Sequence, residues 1–129
     1  MIDIYTDGSC IKNPDGPGGW AFCIIENGID FIMSDGNSCT TNNRMELTAI
    51  IEALSSIKPG SECKIYTDSQ LCINCATGKW KRKANLDLWV KYNLVSTNKI
   101  IQYEWVKGHS GNEYNDLVDS LALREAREY

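Results

Sequence analysis

Long apolar runs are missing from this sequence. The longest, such as residues 20–25, fall far short of the roughly 20 apolar residues that a membrane-spanning helix needs. Residues 1–5 alternate apolar and polar side chains and lack the basic stretch and apolar block of an export signal. We therefore expect a cytoplasmic protein with no membrane partner. General disorder is not expected either, because 43% of the residues are hydrophobic, an ordinary share for a globular domain.

Histidine is scarce and an excess of basic charge is missing. His109 is the single histidine, and 13 Lys and Arg stand against 17 Asp and Glu, for a net charge of −4. Because sequence-independent binding to nucleic acid usually needs an excess of Lys and Arg, a general nucleic-acid binder is not expected. A local basic cluster nevertheless surrounds Trp80 and consists of Lys79, Lys81, Arg82 and Lys83.

Cysteine is present, but not in a zinc motif. Cys72 and Cys75 form one C-x-x-C, and neither a second such pair nor paired histidines complete a zinc site. Without an export signal, free thiols are expected rather than disulfides. We interpret Cys72 and Cys75 as small apolar residues of a helix, with a redox pair as the alternative.

Alternating side chains predict an opening meander of three antiparallel strands. The first strand starts at residue 2 and ends at Gly8, and a turn-rich segment follows over residues 11–19. Residues 20–26 and 30–34 are the next two strands, and Asn27-Gly28 between them is a hairpin turn.

The rest of the chain alternates helices and strands, which indicates an α/β fold with a parallel crossover and thus a mixed sheet. The predicted elements are a helix from about residue 43 to Pro59-Gly60, a strand over 63–67, a short helix from Ser69, a basic loop over 77–85, a helix over 86–94, a strand over 100–106 and a helix over 112–128. Since no linker or repeat interrupts the sequence, we expect a single domain of residues 1–129.

Two strands end in the same tripeptide, Tyr-Thr-Asp, which places Asp7 and Asp68 in matching positions. If these strands are parallel neighbours, both aspartates lie at the carboxyl ends, where open α/β sheets bind ligands. Two adjacent anions repel each other unless a cation lies between them. The alternative is that they are two unrelated acids in solvent.

Two further acids lie on predicted helices. Glu46 shares a helical face with Ile50 and Leu54, and a charge on a packed face is unfavourable unless it is paired or bound to a metal. An acid favoured by the start of the helix is the alternative. Asp119 lies at the margin of the apolar stripe of the last helix and, considered alone, would be an exposed acid.

These four acids without clustered His or Cys favour Mg²⁺, or Mn²⁺, over zinc. A cluster of this kind suits two ions roughly 4 Å apart, an arrangement used for phosphodiester hydrolysis. An ATPase is not expected, because the turn Gly16-Pro17-Gly18-Gly19 lacks the lysine of a phosphate-binding loop.

Four segments resemble, in order and at the family's spacings, the motifs of type 1 ribonucleases H. They are Tyr5-Thr6-Asp7-Gly8-Ser9-Cys10, Thr40-Thr41-Asn42-Asn43-Arg44-Met45-Glu46-Leu47, Thr67-Asp68-Ser69-Gln70, and Trp105-Val106-Lys107-Gly108-His109-Ser110-Gly111 followed by Asn115 and Asp119. The resemblance implies a five-stranded mixed sheet flanked by helices, with strands 1–3 antiparallel and strands 4 and 5 parallel to strand 1. It also implies a monomeric endoribonuclease that cuts the RNA strand of RNA–DNA hybrids with two Mg²⁺ ions and leaves 5′-phosphate and 3′-hydroxyl ends.

The resemblance also implies roles for individual residues. The metal-binding and catalytic carboxylates are Asp7, Glu46, Asp68 and Asp119. His109, on a loop, assists by proton transfer or product release. The positions that match contacts in the minor groove of the hybrid are Cys10, Asn13, Asn42, Asn43 and Gln70. Thr41 and Asn85 match a pocket for a phosphate of the DNA strand, and Trp80 with its basic neighbours is a further candidate contact.

The chain departs from the family pattern mainly between Gln70 and Asp87. Many members carry a basic helix and loop there, which protrude as a handle for the hybrid, whereas this chain has only the cluster around Trp80. We predict weaker hybrid binding and a shallower salt dependence than in members with the handle. Cys39 stands where relatives often have an arginine near the phosphate pocket, and Asp15 is an apparent one-residue insertion.

Two alternatives to an active ribonuclease H remain at this point. One is a catalytically silent module that binds hybrids, although such modules usually lose a carboxylate. The other is a related nuclease or integrase acting on DNA, which the residues Thr41, Asn42, Asn43 and Gln70 disfavour.

Overall fold

The structure is a computed structural model that describes residues 1–108 and 111–129. Its elements in chain order are β1 (Ile2–Cys10), β2 (Gly16–Glu26), β3 (Ile29–Thr40), α1 (Asn42–Ser55), β4 (Glu62–Thr67), α2 (Gln70–Ala76), α3 (Leu86–Ser96), β5 (Ile100–Trp105) and α4 (Glu113–Glu128). The five strands form one sheet in the order β3-β2-β1-β4-β5. β1, β2 and β3 pair antiparallel, while β4 pairs parallel with both β1 and β5. The predicted five-stranded mixed sheet is therefore confirmed.

The first three strands are longer than predicted. β1 does not end at Gly8 but continues to Cys10, because Gly8 pairs with Trp20 and Cys10 with Gly18 across the ladder. β2 accordingly begins within the predicted turn segment, and β3 runs to Thr40 rather than to residue 34. The predicted boundaries were wrong because several glycines in this region serve close packing. A Cβ on Gly8 would lie 2.2 Å from the backbone nitrogen of Glu46 in α1.

The sheet is covered by helices on both faces. On one face α1, α2 and α3 enclose the main core, with Ile4 and Phe22 of the sheet fully buried against side chains such as Leu54. On the other face α4 covers a smaller cluster made by Ala21, Cys23, Val118 and Ala122. The six cysteines are all free thiols, and Cys72 and Cys75 are buried in α2, as the interpretation of them as apolar helix residues predicted.

Residues 77–85, which connect α2 and α3 and all lie within the described range, contain no further helix, which fits the predicted short form without a protruding handle. Over the described ranges 1–108 and 111–129, none of the helices combines the length and apolarity needed to span a membrane.

Candidate active site

Asp7 and Asp68 lie side by side at the carboxyl ends of β1 and β4. The two strands run parallel with Tyr5 opposite Tyr66, so the same register brings the aspartates two residues later to one edge of the sheet. Asp7 is 5% exposed and Asp68 is half-buried, which excludes the alternative of two unrelated acids in solvent.

Glu46 reaches the same place from α1. Its side chain is buried, and the backbone N–H of Gly8 donates a hydrogen bond to its carboxylate. One carboxylate oxygen from each of Asp7, Glu46 and Asp68 lies within 4.8 Å of the others. Glu46 is thus no exposed acid at the start of a helix, but a charge on the packed face that meets the two strand-end aspartates.

Asp119 joins this cluster from α4. A side-chain hydrogen bond links it to Asp7, and its negative charge acts on Asp7 as well. Asp119 is half-buried rather than exposed. The structure therefore brings all four predicted carboxylates together, from two strands and two helices that are distant in sequence.

Burial and mutual repulsion make the negative charge of this cluster unfavourable in the absence of a cation. Burial raises the pKa of Asp7 to about 8, and its contacts with Asp119 and Asp68 act in the same direction, although the hydrogen bond with Glu46 opposes them. Burial, followed by the repulsion from Asp7, raises the pKa of Glu46 well above its usual range. A bound cation reverses this preference for the protonated forms.

The donor set fits a hard divalent cation. Asp7, Glu46 and Asp68 supply only carboxylate oxygens within reach of a common ion, which is the ligand type that Mg²⁺ and Mn²⁺ prefer. Two features that the sequence did not indicate hold Asp68 in place and leave room beside its carboxylate. The Trp105 indole N–H donates to the backbone carbonyl of Asp68 at 3.1 Å, and a Cβ on Gly108 would lie 3.1 Å from Asp68 Oδ2.

The predicted minor-groove residues lie around the end of β1 and the start of α1. The thiol of Cys10 lies 3.4 Å from the carbonyl oxygen of Thr40, and Asn13 Oδ1 accepts a hydrogen bond from the backbone N–H of Asn42 at 3.0 Å. Asn43 and Gln70 are exposed. These side chains present polar groups on the surface next to the carboxylate cluster.

Asn85 of the predicted phosphate pocket and the three lysines of the basic cluster border one cavity of about 490 Å³. Its polar rim is formed by Asn43, Lys79, Lys81, Lys83 and Asn85, with Trp80 beside them. Thr41 caps α1 by accepting a hydrogen bond from the backbone N–H of Arg44.

Arg82 behaves differently from its basic neighbours. Its guanidinium lies 4.3 Å from the ring centre of Trp89, donates to the carbonyl of Cys75 and donates to Asn93. This cation therefore braces α3 against α2. Sequence proximity to the lysines did not reveal that role, because the partners come from other elements. The predicted His109 lies outside the described residues.

Comparisons with known proteins identify the class of this fold and site. The N-terminal RNase H domain of a Mycobacterium tuberculosis protein superimposes with a TM-score of 0.87 at 27% identity, covering 98% of this chain and 94% of that one. RNase H1 from Halobacterium salinarum superimposes with a TM-score of 0.81 at 25% identity, covering 99% and 98%. The fold is thus that of the RNase H1 proteins.

The sequence comparisons lead to the family itself. The RNase H family model matches residues 1–127. A ribonuclease H from Caldanaerobacter subterraneus is 40% identical over all of this chain and 93% of its own length, and one from Oleidesulfovibrio alaskensis is 38% identical over 98% and 90%. This chain belongs to the ribonuclease H family, as the motifs predicted, and is a hybrid-specific endoribonuclease.

Proposed function

We propose that this enzyme hydrolyses the RNA strand of RNA–DNA hybrids with two Mg²⁺ ions, which Mn²⁺ can replace, and leaves 5′-phosphate and 3′-hydroxyl ends. The observation that carries the proposal is the convergence of Asp7, Glu46 and Asp68 within 4.8 Å of one another. Buried acids held this close are unfavourable by themselves, and a divalent cation is what makes such an arrangement stable.

Asp7, Glu46, Asp68 and Asp119 would hold the ions. When bound there, divalent cations supply the Lewis acidity that activates a water and stabilises the leaving oxygen of the phosphodiester. The protein's own part is to keep the ligands in place. The Gly8 amide holds the Glu46 carboxylate, and Trp105 holds the backbone of Asp68. His109 would assist by proton transfer or product release.

The hybrid would bind across the polar surface next to the carboxylates. Cys10, Asn13, Asn42, Asn43 and Gln70 would contact the minor groove, where 2′-hydroxyl groups distinguish RNA from DNA. Thr41 and Asn85 would bind a phosphate of the DNA strand. Trp80 with Lys79, Lys81 and Lys83 would contact the DNA strand in the absence of a handle, whereas Arg82 is engaged within the fold.

Cleavage of labelled RNA–DNA, RNA–RNA and DNA–DNA duplexes, with Mg²⁺ and with chelator, tests this function. Only the RNA strand of the hybrid should be cut, only with metal, and mass spectrometry should find 5′-phosphates. Asp7→Asn should be inactive. Asp3→Asn is the matched control, because Asp3 lies on the same face of β1, roughly 13 Å along the strand from Asp7. Hybrid binding without cleavage would instead identify a silent module, and cleavage of duplex DNA a DNA nuclease.

We further propose that residues 1–129 act as one domain and as a monomer in the cytoplasm. The family model spans nearly the whole chain, and each helix packs on the one sheet that carries the carboxylates. Light scattering at enzyme concentrations used for cleavage tests the monomer, and a mass of twice 14.5 kDa would contradict it.

A further inference from the structure

Arg44 connects the two side chains of the proposed phosphate pocket. Its backbone N–H donates to Thr41 Oγ1 at 3.2 Å, and its guanidinium Nη1 donates to Asn85 Oδ1, also at 3.2 Å. Asn85 is 41 positions further along the chain, so the sequence does not reveal this contact. Arg44 thus contacts both residues of the proposed phosphate pocket, Thr41 and Asn85, although the proposed function gives it no role.

The side chain of Asn85 is available for a ligand because it does not serve its own helix. Asn85 precedes α3 in a left-handed conformation, with a φ of 56°, and makes no side-chain capping hydrogen bond. It lines the 490 Å³ cavity together with Asn43 and Lys83. An amide in this place can offer either its oxygen or its NH2 group to the cavity, and only the NH2 group suits a phosphate.

The guanidinium of Arg44 fixes which of the two ways the Asn85 side-chain amide is turned. A guanidinium has donors and no acceptor, so the amide oxygen of Asn85 must face it and the NH2 group must face away. Arg44 is itself held by two hydrogen bonds to the carboxylate of Asp87, at 3.0 and 2.8 Å. The same ion pair neutralises Asp87, an acid that would otherwise repel a phosphate bound near Asn85.

We propose that Arg44 is a positioning residue for the DNA strand: it holds the Asn85 amide with its N–H groups toward the phosphate and neutralises Asp87. Its own guanidinium stays on Asn85 and Asp87 and does not contact the phosphate. This inference rests on the proposed function, because it assumes that Asn85 binds the hybrid.

A double-mutant cycle on KM for the hybrid tests this role. Arg44→Met removes the donors while keeping an extended side chain, and Asn85→Ala removes the amide. Each should raise KM about tenfold with kcat unchanged, since a charged hydrogen-bond partner is lost. In the Asp87→Asn background, where no carboxylate remains for Arg44 to neutralise, combining the two changes should give the KM of either one alone, because Arg44 then acts only through Asn85. Thermal unfolding verifies folding, and Arg44→Lys, which keeps one donor, should recover part of the loss.

Asp87→Asn separates positioning from a merely structural ion pair. It breaks the charge pair but leaves the hydrogen bond from Arg44 to Asn85, so KM should stay the same or fall. If Asp87→Asn raised KM as much as Arg44→Met, or if the effects of Arg44→Met and Asn85→Ala multiplied in the Asp87→Asn background, the positioning role would be overturned. Unchanged KM in Asn85→Ala would overturn it together with the phosphate pocket, whereas unchanged KM in Arg44→Met alone would overturn only the role of Arg44.

The salt dependence of KM distinguishes positioning from a direct phosphate contact. Arg44→Met combined with Asp87→Asn removes both charges of the pair, so the net charge of the protein is unchanged. A cation that neutralises a phosphate contributes about 0.9 to the slope of log affinity against log salt. We expect the double variant to keep the wild-type slope while its KM rises. A slope shallower by about 0.9 would show that Arg44 itself contacts a phosphate.

Discussion

The backbone amide of Gly8 and the carboxylate of Glu46 are hydrogen-bonded, which ties strand β1 to helix α1 at the carboxylate cluster. The close approach depends on the missing side chain of Gly8, since a Cβ there would lie 2.2 Å from the Glu46 backbone nitrogen and 2.3 Å from the Met45 carbonyl carbon. The same residue pair therefore links the packing of the fold to the placement of a proposed metal ligand.

Gly8→Ala should destabilise the protein and displace Glu46. Backbone atoms of α1 would have to shift, and overpacking of this kind costs roughly 1–3 kcal/mol. Urea unfolding measures the loss, and cleavage of a labelled hybrid should fall in parallel. Gly28→Asn is the control, because Gly28 lies in an open turn with a φ of +76° that asparagine tolerates. If Gly8→Ala were as stable and active as this control, the close approach would not matter.

Asp7→Asn should stabilise the metal-free protein at alkaline pH. Burial raises the pKa of Asp7 to about 8, whereas an unfolded chain has an Asp pKa of about 3.9. Between these values the folded state holds a proton that the unfolded state has released. The free energy of unfolding must therefore fall as pH rises from about 4 to about 8. Asp7→Asn removes the part of this loss that comes from Asp7, so the variant should be more stable than the wild type at pH 8, by up to about 5 kcal/mol.

Thermal or urea unfolding in chelator at pH 5 and pH 8 measures this effect. The wild type should lose stability between the two values and regain it at pH 8 when Mg²⁺ is added, because a bound cation favours the charged carboxylates. Asp3→Asn should behave as the wild type does. An Asp7→Asn variant with the full wild-type pH dependence would contradict the charge repulsion derived for the cluster.

His109→Ala should slow cleavage without ending it. General acid–base assistance contributes typically about 10²–10⁴-fold, while the proposed metal site carries the larger share of the chemistry. We expect a residual rate well above that of Asp7→Asn in single-turnover cleavage, with unchanged hybrid binding. A variant as inactive as Asp7→Asn would mean that the histidine is indispensable.

Lys81→Gln should weaken hybrid binding, whereas Arg82→Gln should weaken the fold, although the two residues are neighbours. Lys81 is exposed at the cavity, so its loss should raise KM and flatten the salt slope by up to about 0.9 without changing stability. Arg82 stacks on Trp89 and bonds to Cys75 and Asn93, so its loss should lower the free energy of unfolding by roughly 1–2 kcal/mol and leave the slope alone. Equal salt slopes for the two variants would refute the assignment of Lys81 to hybrid binding and of Arg82 to stability.

The sequence predicted the sheet and the carboxylates because both depend on local pattern. The repeated Tyr-Thr-Asp placed Asp7 and Asp68 in equivalent positions, and the apolar face around Glu46 indicated a buried charge. Strand ends were missed because Gly8 and Gly16 look like turn residues in sequence, while in the fold their missing side chains allow close packing.

The interactions that could not be predicted are those between elements distant in sequence. Nothing near Arg82 indicates that its guanidinium stacks on Trp89, and nothing near Arg44 indicates Asn85 as its partner. Each depends on how α2 and α3 lie against α1 and the sheet, which only the assembled fold determines. Residue type alone assigned Arg82 to the hybrid-binding surface, and the fold adds that its guanidinium contacts both α2 and α3.

The most direct measurement is an anomalous difference map from crystals grown with Mn²⁺ and a hybrid whose scissile phosphate resists cleavage. The proposed site predicts two peaks among the carboxylates of Asp7, Glu46, Asp68 and Asp119, and none in crystals of Asp7→Asn prepared in the same way. Peaks elsewhere, or none among these carboxylates in the wild type, would contradict the divalent-cation site.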